Sequence, residues 1–434
     1  MYVIAGAAVA AIGGAALLTL GRSSSANQAP PSVQQSASAA PTSSAVSGEI
    51  TLLGRSAYHQ TIHEKGLIPY FNSKYPNVKV NYIPKGYNDE YQVFVLAMRN
   101  KSSDYDVAYI DEPWTTLALL RGWAEPLGNV DLSGVPDLVA NLGKYNGQVY
   151  AVPITGNFNF MFYNSKVLEK IGESPPKSWD DVLRIAQEVT EKLAPNVYGW
   201  SGNYPSVVDD VYLTVLLSLG GHMFDPKDRV TPVFYSQEAI DALNIVKELA
   251  KWAHPKTLSW TDLTEYSDAI LQGEIAMGQV WNGWVAQVDD PSVSKVVGQI
   301  EIMPDPGKYQ VSQTGVWYYV VPIYSQKKDL GKLYVEVATS YGAQKYAALN
   351  AGLPPTRITV YQDPEVQKQN RLADSYVKIA QVAQPARTSP IWMDAYDYLN
   401  QQLLNAILGK ISVEEAIKNC QDELVQLSKQ AGLI

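Results

Sequence analysis

The chain has 434 residues, a net charge of -9 at pH 7 and 18% charged side chains, against a typical share of about 25%. This length predicts two or three domains. The acidic balance and the lack of a lysine- or arginine-rich run argue against nucleic acid as a partner. The single cysteine, Cys420, excludes an intrachain disulfide and a cysteine-based zinc site.

The amino end has two parts of unusual composition. Residues 2–20 carry no charge and are about as long as an apolar stretch that crosses a bilayer core. Residues 22–48 are rich in Ser, Ala, Pro and Thr and cannot bury a core. We predict a membrane anchor or signal segment at residues 1–21 and a flexible linker at 22–48. No cysteine follows the apolar run, which favours anchoring through the segment itself over a lipid anchor. The first charged residue, Arg22, lies after the run, so charge does not fix the orientation.

The folded part begins with a β-α-β pattern. The apolar run EITLLG precedes a helical pattern over residues 59–75, and VKVNYI follows it. This alternation predicts an α/β fold with a mostly parallel sheet. A third strand, YDVAYID, ends at Asp111, and polar residues just after such strands are where open α/β sheets bind ligands.

A second set of elements begins with the strand NFMFYN at residues 159–164. Two amphipathic helices follow, with Ser178 and Ser236 as predicted N-caps. Their apolar stripes must pack against a surface, which predicts a second sheet. The last helix has Ser412 and Glu415 in a capping box and places Cys420 on its apolar stripe. We therefore expect a buried, inert thiol at Cys420.

Several segments, in this order, resemble one family. They are MFYNSKVLEKIGESPPKSWDDVLRIAQEV, LLSLGGHMFDPKDRVTPVFYSQEAIDALNIVKELAK, LQGEIAMGQVWNGW, MPDPG, TGVWYYVVP and NAGLPPTR. The ordered set, over residues 48 to about 430, is similar to the extracellular solute-binding proteins of carbohydrate ABC transporters, the class that includes maltose-binding proteins.

This resemblance implies an α/β, two-lobed periplasmic-binding-protein-like fold with discontinuous lobes, hinge strands and an interlobe cleft that closes around a sugar. The first lobe would hold residues 49–155 plus 306–353. The second would hold residues 156–305 plus 354–434. Crossings between the lobes would fall near residues 152–154 and 303–305.

A sugar has apolar faces and a rim of hydroxyls, so its binder needs flat aromatic rings beside amide and carboxylate groups. Side chains of these kinds cluster after the predicted strands, at the crossings and in a glycine-rich loop. Within them, Asp111 is a candidate acceptor for sugar hydroxyls, and Arg357 is expected to be structural. The candidate ligand-binding residues are Tyr58, His59, Asn88, Asp111, Trp114, Asn157, Asn159, Trp200, Tyr204, Trp281, Asn282, Trp284, Gly315, Trp317 and Tyr318.

Two kinds of chemistry are disfavoured by spacing. His59 and His63 are four residues apart, but their order is not His-Glu-x-x-His and no third ligand is near, so we expect no metal and no cofactor. A glycoside-processing enzyme needs two carboxyls that flank a bond. The adjacent pair Asp111 and Glu112 does not meet that need, because neighbouring strand residues point to opposite faces.

The leading interpretation is a non-catalytic receptor that delivers a sugar to an ABC permease. We expect a monomer at the cell surface, on the extracellular side of the cytoplasmic membrane, either anchored by its N-terminal segment or secreted. Alternatives that remain open are the same fold with a peptide, polyamine or small anion, a carbohydrate-active enzyme, and a surface-structural protein. The candidate site is mainly neutral and aromatic, which favours a neutral polyol.

Overall fold

A computed structural model describes residues 45–260 and 263–434. The predicted membrane segment at residues 1–21 and nearly all of the linker lie outside these ranges. Within them, no helix combines the length and the apolar character that a bilayer crossing needs.

The described chain forms two main sheets and one hairpin. The strands are β1 (Gly48–Arg55), β2 (Val78–Lys85), β3 (Val107–Asp111), β4 (Lys144–Tyr145), β5 (Gln148–Val149), β6 (Ala151–Thr155), β7 (Phe158–Asn164), β8 (Met277–Trp281), β9 (Ile300–Met303), β10 (Ser312–Thr314), β11 (Trp317–Val320) and β12 (Ala383–Gln384). The first sheet has the order β2-β1-β3-β11-β6. Its first three strands are parallel, as the β-α-β pattern predicts, and β11 is antiparallel to both of its neighbours. The second sheet has the order β12-β10-β7-β8, and β9 pairs with β7.

The chain crosses between the two sheets through very short segments. Gly156 and Asn157 join β6 to β7, and Gly315 and Val316 join β10 to β11. The Gly315 backbone N–H donates to the Asn157 carbonyl at 2.8 Å, which ties the two crossings together. The second crossing lies later than the predicted 303–305 because β9 and β10 both pair with β7. We therefore propose to move that lobe boundary from about residue 305 to Gly315.

Helices cover both sheets. They are α1 (Tyr58–Ile62), α2 (Ile68–Lys74), α3 (Tyr87–Arg99), α4 (Glu112–Leu120), α5 (Asp137–Leu142), α6 (Ser165–Ile171), α7 (Trp179–Leu193), α8 (Leu213–Leu219), α9 (Gln237–Ala250), α10 (Leu263–Leu271), α11 (Lys328–Ala338), α12 (Tyr341–Ala351), α13 (Ile358–Tyr361), α14 (Pro364–Gln369), α15 (Ala373–Val382), α16 (Trp392–Ile407) and α17 (Val413–Gln430). The predicted N-caps are confirmed, since the side chains of Ser178, Ser236 and Ser412 each accept a hydrogen bond from the backbone N–H three residues on. Such caps satisfy otherwise unpaired helix N–H groups.

Two apolar clusters form the core. The larger one surrounds the first sheet and continues onto β9 and α15. The smaller one packs α7, α8 and α9 against α16 and α17, and it contains Cys420. The thiol is buried, as predicted, and burial raises its pKa.

A buried arginine secures the segment between α12 and α13. Arg357 is 2% exposed, and its guanidinium donates to the carbonyls of Thr339 at 3.0 Å, Asp131 at 2.6 Å and Ser133. These carbonyls belong to two separate loops, one over residues 131–133 and one directly after α11, and one side chain joins them. The structural role predicted for Arg357 is confirmed.

The Arg357→Met variant removes the donor that these three carbonyls share and leaves the buried Thr339 carbonyl without it. We expect it to lower the free energy of unfolding by about 3 kcal/mol in chemical denaturation. The control is Arg184→Met, which removes an exposed pairing with Glu173 and should cost less than about 1 kcal/mol. Equal losses in the two variants would contradict the role of Arg357.

Buried carboxyl groups give the fold an unusual dependence on pH. Burial raises the pKa of Glu112 to about 8, although the nearby charge of Arg387 lowers it. Burial also raises the pKa of Asp305 to about 8, against a hydrogen bond from Gln279. Between about pH 4 and pH 8 the folded state therefore keeps protons that the unfolded chain has released.

Stability is accordingly expected to fall as pH rises through this window. The Glu112→Gln variant has a neutral group at this position at every pH. Its free energy of unfolding should therefore decrease by on the order of 3 kcal/mol less than that of the wild type across the window. Unfolding free energies measured across the window test this, with the exposed Glu336→Gln as the control. A wild-type protein whose stability rises over the same window would contradict the expectation.

Candidate functional site

A cavity of about 580 Å³ lies between the two lobes, and we call it the interlobe cavity. Its walls come from the ends of β1, β3 and β8, the start of β11, the first turns of α1, α3 and α16, and the turn before α8. Its volume lies in the range of about 300–1,000 Å³ that is typical of small-molecule sites. The predicted residues that line it are Tyr58, His59, Asn88, Asp111, Asn157, Trp281, Trp284 and Trp317.

The first lobe contributes an aromatic wall. The Trp317 ring stacks on Tyr109, with centroids 4.8 Å apart and planes 20° apart. Tyr87 meets the Trp317 ring at 70°, and His59 lies 4.7 Å from it. Burial lowers the pKa of His59 well below its usual range, so this ring is neutral at pH 7. The wall is therefore aromatic and mostly uncharged, with rings that meet at an angle.

The second lobe contributes two tryptophans that end β8. Trp281 is the last residue of the strand and is 6% exposed, and a 3-10 turn over Asn282–Trp284 follows it. The Asn-Gly pair thus makes a turn rather than a continuing helix, as predicted. Trp284 is more exposed and meets Tyr58 of the first lobe edge to face, at 6.5 Å and 74°. Both rings border the interlobe cavity, and Trp284 also contacts an aromatic ring of the first lobe.

A buried arginine joins the two walls. Arg387 lies in the segment between β12 and α16, and its Nη1 is 3.1 Å from Asp111 Oδ2 and 3.2 Å from Asp209 Oδ2. The guanidinium carbon also lies 5.3 Å from the centroid of the Trp281 ring. Asp111 ends a strand of the first sheet, whereas Asp209 precedes α8 beside the second sheet. We call these three side chains the Arg387 cluster.

The Asp111 carboxylate has no capacity left for a ligand hydroxyl. Its Oδ1 accepts from the Glu112 backbone N–H at 2.8 Å and from Arg387 Nη2 at 3.4 Å. Its Oδ2 accepts from the Tyr87 hydroxyl at 2.9 Å and from Arg387 Nη1. A carboxylate offers about four lone-pair sites, and all four are used here. The predicted role of Asp111 as a sugar acceptor is therefore replaced by a role in the Arg387 cluster.

Two adjacent aspartates on a π-helical turn, Val208–Tyr212, serve different partners. Asp209 accepts from Gln313 Nε2 at 2.7 Å and from Arg387. Asp210 accepts from Trp281 Nε1 at 2.6 Å and from Asn203 Nδ2 at 2.5 Å. Burial, and then the charge of Asp209, raise the pKa of Asp210 to about 7. Asp210 therefore fixes the orientation of the Trp281 ring.

Gly315 lies where the Trp281 ring and the Arg387 guanidinium come closest to the backbone. A Cβ atom at this position would lie 2.4 Å from Trp281 Cζ3 and 2.9 Å from Arg387 Nη2. Such distances are shorter than van der Waals contact, so only glycine allows this packing. The predicted close approach at Gly315 is to protein side chains, and this residue does not line the interlobe cavity.

Other predicted residues support the site without lining it. Trp114 packs behind Tyr87 and Trp317, and the Tyr318 hydroxyl donates to the Val139 carbonyl at 2.9 Å. Asn159 donates to the Asp210 carbonyl at 3.0 Å. The Asn282 side chain donates to the Gly156 carbonyl at 2.9 Å and so braces the first crossing. These four residues stabilise the frame around the interlobe cavity.

Trp200 and Tyr204 lie elsewhere. Both are fully buried in the smaller apolar cluster, where Trp200 meets Trp179 edge to face at 6.3 Å. The Tyr204 hydroxyl donates to the Val246 carbonyl at 2.9 Å. The glycine-rich loop turns these rings toward the core, so we withdraw both from the candidate site.

Sequence reasoning missed several residues that line the interlobe cavity. They are Arg55, Tyr87, Tyr91, Gln92, Ser206, Asp209, Asp210, Leu263, Arg387, Trp392, Met393, Asp394, Tyr396 and Asp397. One available signal was the Asp209–Asp210 pair inside the apolar run SVVDDVYLTVLL, because buried charges are rare unless they are paired. Arg387, between two prolines, gave no comparable local signal.

His59 and His63 both form hydrogen bonds to groups of the protein itself. His59 Nδ1 lies 2.8 Å from the Tyr109 hydroxyl, and His63 Nδ1 lies 2.7 Å from the His59 carbonyl. In the described ranges, no group of three or more His, Cys, Asp or Glu side chains is placed to hold a metal ion. The interlobe cavity thus presents rings, amides and carboxylates, a set suited to holding a small polar molecule by stacking and hydrogen bonds.

Comparisons with known proteins agree with this architecture. A probable amino-acid ABC transporter periplasmic-binding protein of Sinorhizobium fredii is 26% identical over 381 residues, 82% of this chain and 84% of that protein. The arabinooligosaccharide-binding protein of Bacillus subtilis is 22% identical over 348 residues, 76% of this chain and 78% of that protein. The maltose-bound structure of T. maritima MalE3 has a TM-score of 0.76 at 23% identity, covering 87% of this chain and 99% of that one.

The likeness to solved structures establishes the two-lobed fold that the sequence motifs imply. A family model described as bacterial extracellular solute-binding protein matches residues 56–345, most of the described chain. The chain therefore belongs to the bacterial extracellular solute-binding proteins.

Proposed function

We propose that this protein is the receptor of an ABC importer that captures a sugar outside the cell and delivers it to the membrane permease. The observation that carries the proposal is the interlobe cavity, with tryptophan and tyrosine rings on both of its walls. Aromatic faces pack against the C–H faces of a sugar, and closure between lobes removes the bound molecule from water.

Polar groups around these rings are suited to hydroxyls. Asn88 and Gln92 present amides at the interlobe cavity, and Asn157 presents a buried side-chain oxygen that accepts no hydrogen bond within the described residues. The names of two similar proteins, one arabinooligosaccharide-binding and one maltose-bound, support the same class of solute. Another similar protein is named as a component of an amino-acid transporter. An amino acid or a peptide is therefore the alternative solute.

The family supports a position on the extracellular or periplasmic side of the membrane. An ABC permease is the expected partner for a receptor of this family. The anchor at residues 1–21, the linker and the monomeric state stay predictions.

Binding without catalysis is part of the proposal. Glycoside hydrolysis uses two carboxyls on either side of the scissile bond, one as acid and one as base or nucleophile. At the interlobe cavity, Asp111 is fully occupied and Asp209 is bound to Arg387 and Gln313. Asp210 accepts from Trp281 and Asn203. These pairings favour structural roles for the buried carboxyls.

Calorimetric titration with a panel of mono- and oligosaccharides tests the proposal. We expect at least one sugar to bind, and we expect Trp281→Phe to weaken that binding by about 1 kcal/mol because the smaller ring loses stacking area. Trp200→Phe is the matched control, since that indole lies in the core of the second lobe and should leave the affinity unchanged.

Two outcomes would contradict the proposal. One is the absence of binding by every sugar at millimolar concentration together with binding of an amino acid, a peptide or a polyamine. The other is release of shorter products from the oligosaccharides, which would indicate an enzyme. Equal effects of Trp281→Phe and Trp200→Phe would remove Trp281 from the site.

A further inference from the structure

Arg55 is an arginine at the interlobe cavity without a carboxylate partner. It ends β1, is half-buried, and forms no ion pair with any described residue. Its guanidinium carbon lies 4.8 Å from the centroid of Tyr87 and 5.4 Å from that of Trp317. The other arginine of this cavity, Arg387, differs because two carboxylates share its charge. The two rings pack against the Arg55 side chain, and none of its side-chain N–H groups donates to a residue in the described ranges.

Among the described residues, no carboxylate forms an ion pair with Arg55. Glu90 is buried nearby and forms no ion pair with any described residue, and burial raises the pKa of its carboxyl well above the usual range, which favours the neutral form. Burial keeps His59 neutral, and the charge of Arg55 adds to that effect. Asp394 and Asp397 also line the cavity, but they are exposed and neither pairs with Arg55. The Arg55 guanidinium therefore lies beside an aromatic wall, without a paired carboxylate among the described residues.

A guanidinium in this setting is suited to one class of ligand group. Its planar set of five N–H donors matches a carboxylate or phosphate in a bidentate pair, and partial exclusion of water strengthens the attraction. Neutral hydroxyls of a solute would accept hydrogen bonds from the Arg55 N–H groups but would not pair with its positive charge. The amides of Asn88 and Gln92 line the same cavity and can bind the remaining polar groups.

We propose that Arg55 binds an oxyanion of the solute, so that the captured sugar is acidic, either a uronic acid or a sugar phosphate. The inference rests on the proposed function as a sugar receptor and specifies its substrate class. An acidic sugar thus replaces the neutral polyol that the sequence analysis favours. That analysis did not place Arg55 in the candidate site.

Calorimetry with matched sugar pairs tests the inference. The probes are glucose with glucuronate, galactose with galacturonate, and glucose with glucose 6-phosphate, so that the carboxylate and phosphate sources are compared separately. We expect the acidic member of at least one pair to bind at least about tenfold more tightly, which corresponds to about 1.4 kcal/mol. Arg55→Gln should abolish that preference, and Arg55→Lys should retain part of it.

The control variant is Arg121→Gln, which removes the same charge from an exposed position outside the interlobe cavity. It should preserve the preference, and circular dichroism of each variant checks that it is folded. Neutral and acidic sugars that bind equally well would overturn the inference and leave the proposed function standing. An acidic preference that survives in Arg55→Gln would also overturn it.

A further calorimetric titration, with glutamate, distinguishes failure of the sugar assignment from failure of the anion site. If no sugar binds but glutamate does, with an affinity that Arg55→Gln abolishes, the sugar assignment fails and the anion site at Arg55 stands. If neither sugars nor glutamate bind, both proposals fail.

Discussion

The buried pairing of Arg387 with Asp111 and Asp209 is the interaction on which the arrangement of the site depends. Moving three charges out of water is costly, and such a cluster is favourable only when the geometry is good and the remaining lone pairs are satisfied. Here the Glu112 N–H, the Tyr87 hydroxyl and the Gln313 amide donate further hydrogen bonds to the two carboxylates. The loss of one member would leave an uncompensated buried charge, which in general costs about 3–5 kcal/mol.

The Arg387 cluster positions the aromatic rings that border the interlobe cavity. Asp111 holds the Tyr87 hydroxyl, and Arg387 lies against the face of Trp281. Asp210, next to Asp209 on the π-helical turn, holds the other end of Trp281 through its indole N–H. Gly315 leaves room for this packing at the point where the chain crosses between the sheets. The crossing at Gly315, the Arg387 cluster and the Trp281 ring are thus connected by direct contacts.

Much of the fold was predictable from local signals and family resemblance. Helix caps such as Ser178 and Ser236 depend on neighbouring residues, and the Asn-Gly turn after β8 follows from backbone preferences alone. The site was harder to predict. Trp200 in its glycine-rich loop carries the same local signal whether the ring faces a cleft or a core. Arg387 and Asp111 are 276 residues apart, and no local pattern encodes a pair formed only by the tertiary fold.

Native mass spectrometry of the protein, purified from its own source without added ligand, tests most directly that the interlobe cavity holds a sugar. A receptor that closes on its solute retains part of it through purification. We expect one bound molecule per chain, with a mass after release that corresponds to a saccharide. A retained peptide, amino acid or polyamine at the same stoichiometry would contradict the account.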